Sequence, residues 1–247
     1  MSIDSASDLE GLKAAGRVVA GALRELRART RAGVTTGELD AAAEAWFREH
    51  GARSGPRLDY DYPGAVCISV NEEAVHGIPG DRTLRRGDLV TLDVTAELNG
   101  YYADAAISIV IPPAPSLALA LAACAEAAFR SGLRRVRAGV PLRAVGAAVE
   151  REVRRRGFHV LRDLGGHGIG RRIHEEPRVP NYGDPAARRR LTEGLVITLE
   201  PIVSESAGES RLLRDGWTVV SADGSLTAHY EHTLVVMRGA PLLLTAA

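Results

Sequence analysis

Two stretches of this chain follow one pattern, and that pattern restricts the fold more than any other feature. Residues 31–51 read RAGVTTGELDAAAEAWFREHG and residues 137–157 read RAGVPLRAVGAAVEREVRRRG. Both open on RAGV, carry an Ala-Ala-x-Glu block (Ala41, Ala42, Glu44 and Ala147, Ala148, Glu150) and close on glycine (Gly51, Gly157). Each reads as a helix. Thr35 and Glu38 have capping-box spacing, and Pro141 suits a first turn. Leu39, Trp46 and Phe47 share one face of the first helix; Leu142, Val145, Val149 and Val153 share one face of the second. Longer amphipathic segments precede them at 8–30 and 116–136, the former with Ser7 and Glu10 as its start signal. Strand-like runs follow: 65–72, 88–97 and 101–111, then 194–203, 216–222 and 229–237. Helix, helix and strands, twice over, predict an α+β domain with helices covering a mostly antiparallel sheet. The expected organisation is one domain, 1–247, of two pseudo-symmetric halves, about 1–112 and 113–247, joined at PPAPS (112–116).

Four acidic residues interrupt these apolar runs: Asp93 in VTLDVT, Asp104 in YYADAAISIV, Glu200 in VITLEPIV and Glu231 in HYEHTLVV. Carboxylates are depleted in strands, and several buried together are costly unless a cation offsets them. Asn99-Gly100 is a two-residue hairpin signal. As a two-residue loop it pairs Leu98 with Tyr101 and Thr95 with Asp104, which makes Asp93 and Asp104 diagonal neighbours; a four-residue loop sets them directly opposite, and either length leaves both carboxylates on one face. With His167, the set is two Asp, two Glu and one His. Such oxygen-rich donors suit a pair of divalent ions such as Mn, Fe, Co or Zn rather than a thiolate zinc site.

Gly165–Pro177 reads GGHGIGRRIHEEP. It lacks G-x-G-x-x-G spacing, and Pro177 and Pro180 interrupt any following helix, which excludes a phosphate cradle. Lys+Arg and Asp+Glu both number 31. This charge balance argues against nucleic acid as the main partner. Two cysteines, Cys67 and Cys124, point to a reducing cytoplasm rather than a disulfide scaffold. The acidic N-terminal segment has no signal-peptide pattern, and the apolar run 117–125 is too short to span a bilayer.

The motifs NEEAVHGIPG (71–80), LDVTAELNGYYAD (92–104), GHGIGRRIHEEP (166–177), TLEP (198–201) and YEHT (230–233) together resemble the bacterial type I methionine aminopeptidases, of pita-bread fold. The resemblance spans the chain. It implies duplicated halves and a dimetal centre ligated by Asp93, Asp104, His167, Glu200 and Glu231, the residues already singled out. It implies hydrolysis after an N-terminal methionine with a small second residue, through attack by a metal-bridging hydroxide. Glu200 is then the proton shuttle, His174 the hydrogen-bond donor to the scissile carbonyl, and His76 the contact to the scissile amide. Tyr62, Cys67, Ile173 and Trp217 line the methionine pocket beside His76.

This chain departs from the family at several places. Ile173 stands where an aromatic is usual, LDYDYP (58–63) replaces a Tyr-His-Gly-Phe/Tyr-Pro-like run, Ala105 replaces a hydroxyl residue, and His229 replaces a common glutamine. His50 and His159 read as structural or exposed. His232 is expected to point away from Glu231's face. The arginine runs 134–135, 154–156 and 188–190 read as solvated faces, with transient ribosome contact as the alternative. The implied partner is the N-terminal methionine of nascent chains; a monomer, no membrane and no specific nucleic acid are expected. The competing readings are an aminopeptidase P or prolidase and a metal-free binding protein on the same fold.

Overall fold

The structure is a computed structural model describing residues 1–246. Its first part runs α1 (Ala6–Arg29), α2 (Thr36–Glu49), β1 (Arg53–Ser54), α3 (Gly55–Tyr60), β2 (Cys67–Val70), β3 (Glu73–Val75), β4 (Leu89–Leu98) and β5 (Tyr101–Val110). The second part opens with α4 (Ser116–Leu133), α5 (Leu142–Arg155), β6 (His159–Val160), β7 (Gly165–Gly168) and β8 (Glu175–Pro180). It continues through β9 (Val196–Leu199), β10 (Ile202–Ser204), β11 (Ser210–Leu212), β12 (Val219–Ser221), β13 (Thr227–His229), β14 (His232–Val235) and β15 (Leu242–Leu243). Every strand pairing is antiparallel, so the expected α+β class holds.

Each helix pair covers its own core. Under α1 and α2 lie Leu23, Leu26, Leu39, Phe47, Ile68, Val90, Leu92 and Val94. Under α4 and α5 lie Leu121, Phe129, Val145, Val149, Val153, Ile197, Leu199 and Leu234. Each such side chain, fully buried, contributes on the order of 1.5–3 kcal/mol. Thr35 and Glu38 form the expected capping box. Gly21 of α1 faces the Trp46 indole of α2, whose Nε1 donates to Val18 O. Gly21 thus lets the two helices approach closely. The α4 helix is long and apolar enough to cross a membrane, with mean hydropathy 1.3. One face of it (Ala118, Leu121, Cys124, Ala125, Ala128, Phe129) is buried in the second core.

Four expectations change. The α1 cap is Ser5, not Ser7: its Oγ accepts from Asp8 N while its backbone is extended. The α4 helix ends at Leu133 rather than running to 136. Pro141 is the residue before α5 rather than one inside its first turn. The single strands expected over 194–203 and 229–237 are each two strands. Pro201 has no N–H to continue a ladder, so the first divides into β9 and β10 with Glu200 at the break. The second divides into β13 and β14 with Glu231 at the break.

The two parts meet along β5. Ala106 and Glu231 exchange backbone bonds (Glu231 N to Ala106 O, 2.9 Å; Ala106 N to Glu231 O, 3.3 Å). On one side of this pair, Asp104 N donates to Thr233 Oγ1, which donates back to Asp104 O, both at 2.8 Å. On the other, His229 N donates to Ser108 Oγ, which donates to His229 O. Residues 104, 106 and 108 therefore run antiparallel to 233, 231 and 229. This seam brings carboxylates from distant parts of the chain together.

Candidate functional site

The hairpin has the register its turn demands. Asn99 and Gly100 both take positive φ (52° and 82°), and Leu98 faces Tyr101 while Thr95 faces Asp104. Asp93 then lies opposite Ala106 and, on its other side, opposite Cys67. Since Ala106 pairs with Glu231, the residues Cys67, Asp93, Ala106 and Glu231 form one row across the sheet. Asp104 is two residues from Ala106 and shares its face. The small Ala106 lies between Asp93 and Glu231 in this row, and the ligand oxygens of the two carboxylates are within 4.8 Å of each other.

His167 enters from β7. Its Nδ1 lies 2.9 Å from Gly168 O, which makes Nδ1 the protonated nitrogen and leaves the Nε2 lone pair free. That Nε2 stands 3.4 Å from Glu200 Oε1. Thr198 Oγ1 accepts from His167 N at 3.0 Å and donates to Glu200 Oε1 at 2.7 Å, fixing both residues through one hydroxyl. Asn181 Nδ2 holds the Glu200 carbonyl at 2.8 Å. The glycines around His167 serve backbone packing: a Cβ on Gly166 would strike Thr198 O, and one on Gly168 would strike Glu176 O.

These groups form two sets of potential ligands, Asp104 with His167 and Glu231, and Asp93 with His229 and Glu231; in each set the donor atoms lie within 4.8 Å of one another. Burial, then the neighbouring carboxylates, push Asp93 and Glu231 well above the ordinary carboxylate range. Burial also raises Asp104 and Glu200. Asp104 Oδ1 and Glu231 Oε1 are buried and lack a hydrogen-bond partner among the described residues. Converging carboxylates with orphaned oxygens fit divalent cations, which the donor set could hold as a pair.

Above these groups opens a cavity of about 500 Å³. All eleven residues expected at the site line it: His76, Asp93, Asp104, His167, His174, Glu200, Glu231, Tyr62, Cys67, Ile173 and Trp217. Tyr62 and Trp217 meet edge to face, centroids 5.2 Å apart, and the Tyr62 hydroxyl donates to Gly77 O at 2.7 Å. Burial and the Asp93 carboxylate push the Cys67 thiol well up, so it stays protonated. His76 takes φ 57°, a left-handed conformation uncommon outside glycine. Burial, then His167 and His76, hold the His174 imidazole down to about 3, hence neutral.

Among the lining residues that sequence reasoning did not place at the site, Tyr60 and His229 bear on the chemistry. Tyr60 closes the short α3, which begins with the Ser54 cap and Pro56 in the first turn; its hydroxyl lies 2.6 Å from His174 Nδ1. Beside it, Asp59 accepts from Ile173 N at 3.0 Å and from the Tyr102 hydroxyl at 2.8 Å. The LDYDYP departure is thus the segment that holds the 173–174 segment in place. His229 sits two residues before Glu231 and so shares its face, a period-two signal present in the sequence. The remaining histidines lie elsewhere. His232 contacts Thr245 and Tyr230, His50 stacks on Trp46, and His159 is exposed.

Residues 10–238 match the model of metallopeptidase family M24. The chain is 42% identical over 247 residues to methionine aminopeptidase 2 of Bacillus subtilis, covering 99% of both chains. The crystal structure of a methionine aminopeptidase from Thermotoga maritima superposes with TM-score 0.96 at 34% identity over 100% of both chains. A prolidase from Pyrococcus furiosus shares the fold at TM-score 0.79 and 22% identity, the match covering 99% of this chain and 65% of that one.

Proposed function

The chain belongs to metallopeptidase family M24, and we propose that it works as a bacterial type I methionine aminopeptidase, removing N-terminal methionine by metal-dependent hydrolysis. One observation carries this reading. Two three-residue donor sets sharing Glu231 form the floor of a cavity whose wall includes the apolar Tyr62, Cys67, Ile173 and Trp217.

Asp93, Asp104, His167, Glu200 and Glu231 would hold two divalent ions. Bound there, such ions supply Lewis acidity, which makes water a competent nucleophile near neutral pH and polarises the carbonyl it attacks. Glu200 is the proton carrier: with Oε1 committed to Thr198, Oε2 takes the proton from water and passes it to the leaving nitrogen. His174 donates from Nε2–H to the carbonyl oxygen as charge builds there. Tyr60 supports that tautomer: burial raises its phenol, which therefore keeps a proton to donate to Nδ1. His76 contacts the scissile amide. The methionine side chain packs against Tyr62, Cys67, Ile173 and Trp217.

The physiological ion is one of Co, Mn, Fe or Zn, and the small second residue is a preference of the same site. The helix-pair-then-strands order and the paired cores support a duplication with halves 1–112 and 113–247. Work on nascent chains would place a monomer in the cytoplasm. There Arg134, Arg135 and Arg188–Arg190 could touch the ribosome transiently; Arg154–Arg156 are paired with Glu150 and Glu152 on their own helix.

A peptide panel tests this reading. Metal-supplied protein should release methionine from Met-Ala and Met-Gly peptides. No release with Co, Mn and Fe each supplied, together with cleavage of an Xaa-Pro peptide, overturns it.

A further inference from the structure

We propose that His229 is a sixth ligand of this centre, completing with Asp93 and Glu231 the donors to one of the two ions. The inference rests on reading the cavity floor as a dinuclear site. His229 is 1% exposed, and neither of its ring nitrogens has a hydrogen-bond partner among the described residues. A buried imidazole left this way is costly, and an ion at Nε2 would take up the lone pair of that nitrogen. Its Nε2 stands 3.5 Å from Glu231 Oε2 and 3.8 Å from Glu200 Oε2. These separations are long for an N–H···O bond. Two donors each about 2.1 Å from one ion, however, can be up to about 4.2 Å apart.

The backbone keeps the ring in place. His229 N donates to Ser108 Oγ at 2.9 Å, Ser108 Oγ donates back to His229 O at 3.0 Å, and Thr91 Oγ1 lies 2.7 Å from the same hydroxyl. This anchor holds His229 on Glu231's face of the seam. The arrangement gives each ion one imidazole, His167 on one side and His229 on the other, with Glu231 common to both sets. A second nitrogen makes the donor set softer, which favours Zn, Co and Fe(II) over Mn and Mg.

The test uses the full chain, stripped of metal and reloaded with cobalt(II). X-ray absorption at the cobalt edge counts imidazoles, and competition with a chromophoric chelator gives both affinities. With two cobalt ions bound, the wild type should show an average of one imidazole per ion. His229→Gln, with its fold checked by circular dichroism, should halve that count. It should also weaken one of the two sites at least about tenfold and leave the other unchanged. Two bound ions with half an imidazole each in the wild type overturn the inference while leaving the dinuclear reading intact. A variant that binds both ions as the wild type does has the same effect. A chain that binds no cobalt at all overturns both. The wild-type count alone decides the matter if the variant does not fold.

Discussion

The Tyr60 hydroxyl meets His174 Nδ1 at 2.6 Å, although the two residues are 114 positions apart. With the phenol as donor in this contact, the neutral imidazole carries its proton on the other nitrogen, toward the cavity. Tyr60→Phe should therefore lower kcat by roughly tenfold, equivalent to about 1.4 kcal/mol, with KM little changed. Steady-state kinetics on a Met-Ala peptide measures this, and ¹⁵N chemical shifts of His174 should show a mixed tautomer in the variant. An unchanged kcat would mean that the phenol is only packing.

Thr198 bridges His167 N and Glu200 Oε1 with one hydroxyl. Thr198→Val keeps the shape and leaves a buried carboxylate oxygen without its donor, at a cost of about 1–3 kcal/mol. Stability by denaturant titration should fall by that amount and kcat should drop. Thr198→Ser should restore most of both. Equal behaviour of the valine and serine variants would exclude the bridge as the cause.

Removing the metal should make stability depend on pH in a particular direction. Burial raises the folded-state affinity of Asp93, Asp104, Glu200 and Glu231 for protons above their ordinary values of 3.8 for aspartate and 4.5 for glutamate. The metal-free fold then binds more protons than the unfolded chain, so stability present below those values is lost as pH rises through the raised ones. Chelator-treated protein should melt at falling temperatures as pH rises above those ordinary carboxylate values. Saturating Mn should oppose this, adding about 2.7 kcal/mol at one hundred times Kd. Parallel melting curves with and without Mn would refute the coupling.

Asp104→Ala removes a carboxylate common to the crowding and to one donor set. Activity should vanish. The same variant, metal-free at pH 8, should melt no lower than the metal-free wild type, because it relieves like-charge repulsion. A fully active variant would rule out the proposed ligand role.

Gly168 faces the Glu176 carbonyl so closely that a Cβ has no room. Gly168→Ala should push β7 off β8, move His167 with it, and cost several kcal/mol. Thermal unfolding checks the cost. Gly208, which faces open space, serves as the control, where alanine should be nearly neutral.

Some features were legible because they are local. Asn99-Gly100 marks a hairpin of even loop length, so Asp93 and Asp104 had to share a face; the structure selects the two-residue loop and with it the Thr95–Asp104 pairing. Thr35 and Glu38 satisfy a helix start through their own spacing. Ser7 and Glu10 have the same spacing, but the helix is capped two residues earlier, at Ser5. Two overlapping signals competed there, and local chemistry could not rank them. The short α3 escaped notice because six residues carry no hydrophobic period, and with it went the Tyr60 contact.

Residue order dictated the helix faces, the shared face of Asp93 and Asp104, and which carboxylates stand where strands would exclude them. These follow from periods of two and 3.6 residues and from turn chemistry, all of which act over a few positions. Tertiary structure alone decided that Glu231 pairs with Ala106, that Asp93 and Glu231 flank the small Ala106 methyl, and that His229 turns its unpartnered ring toward them. Those relations cross more than a hundred residues. They depend on backbone bonds across the seam, which form only when both cores have packed and fixed the two edges side by side.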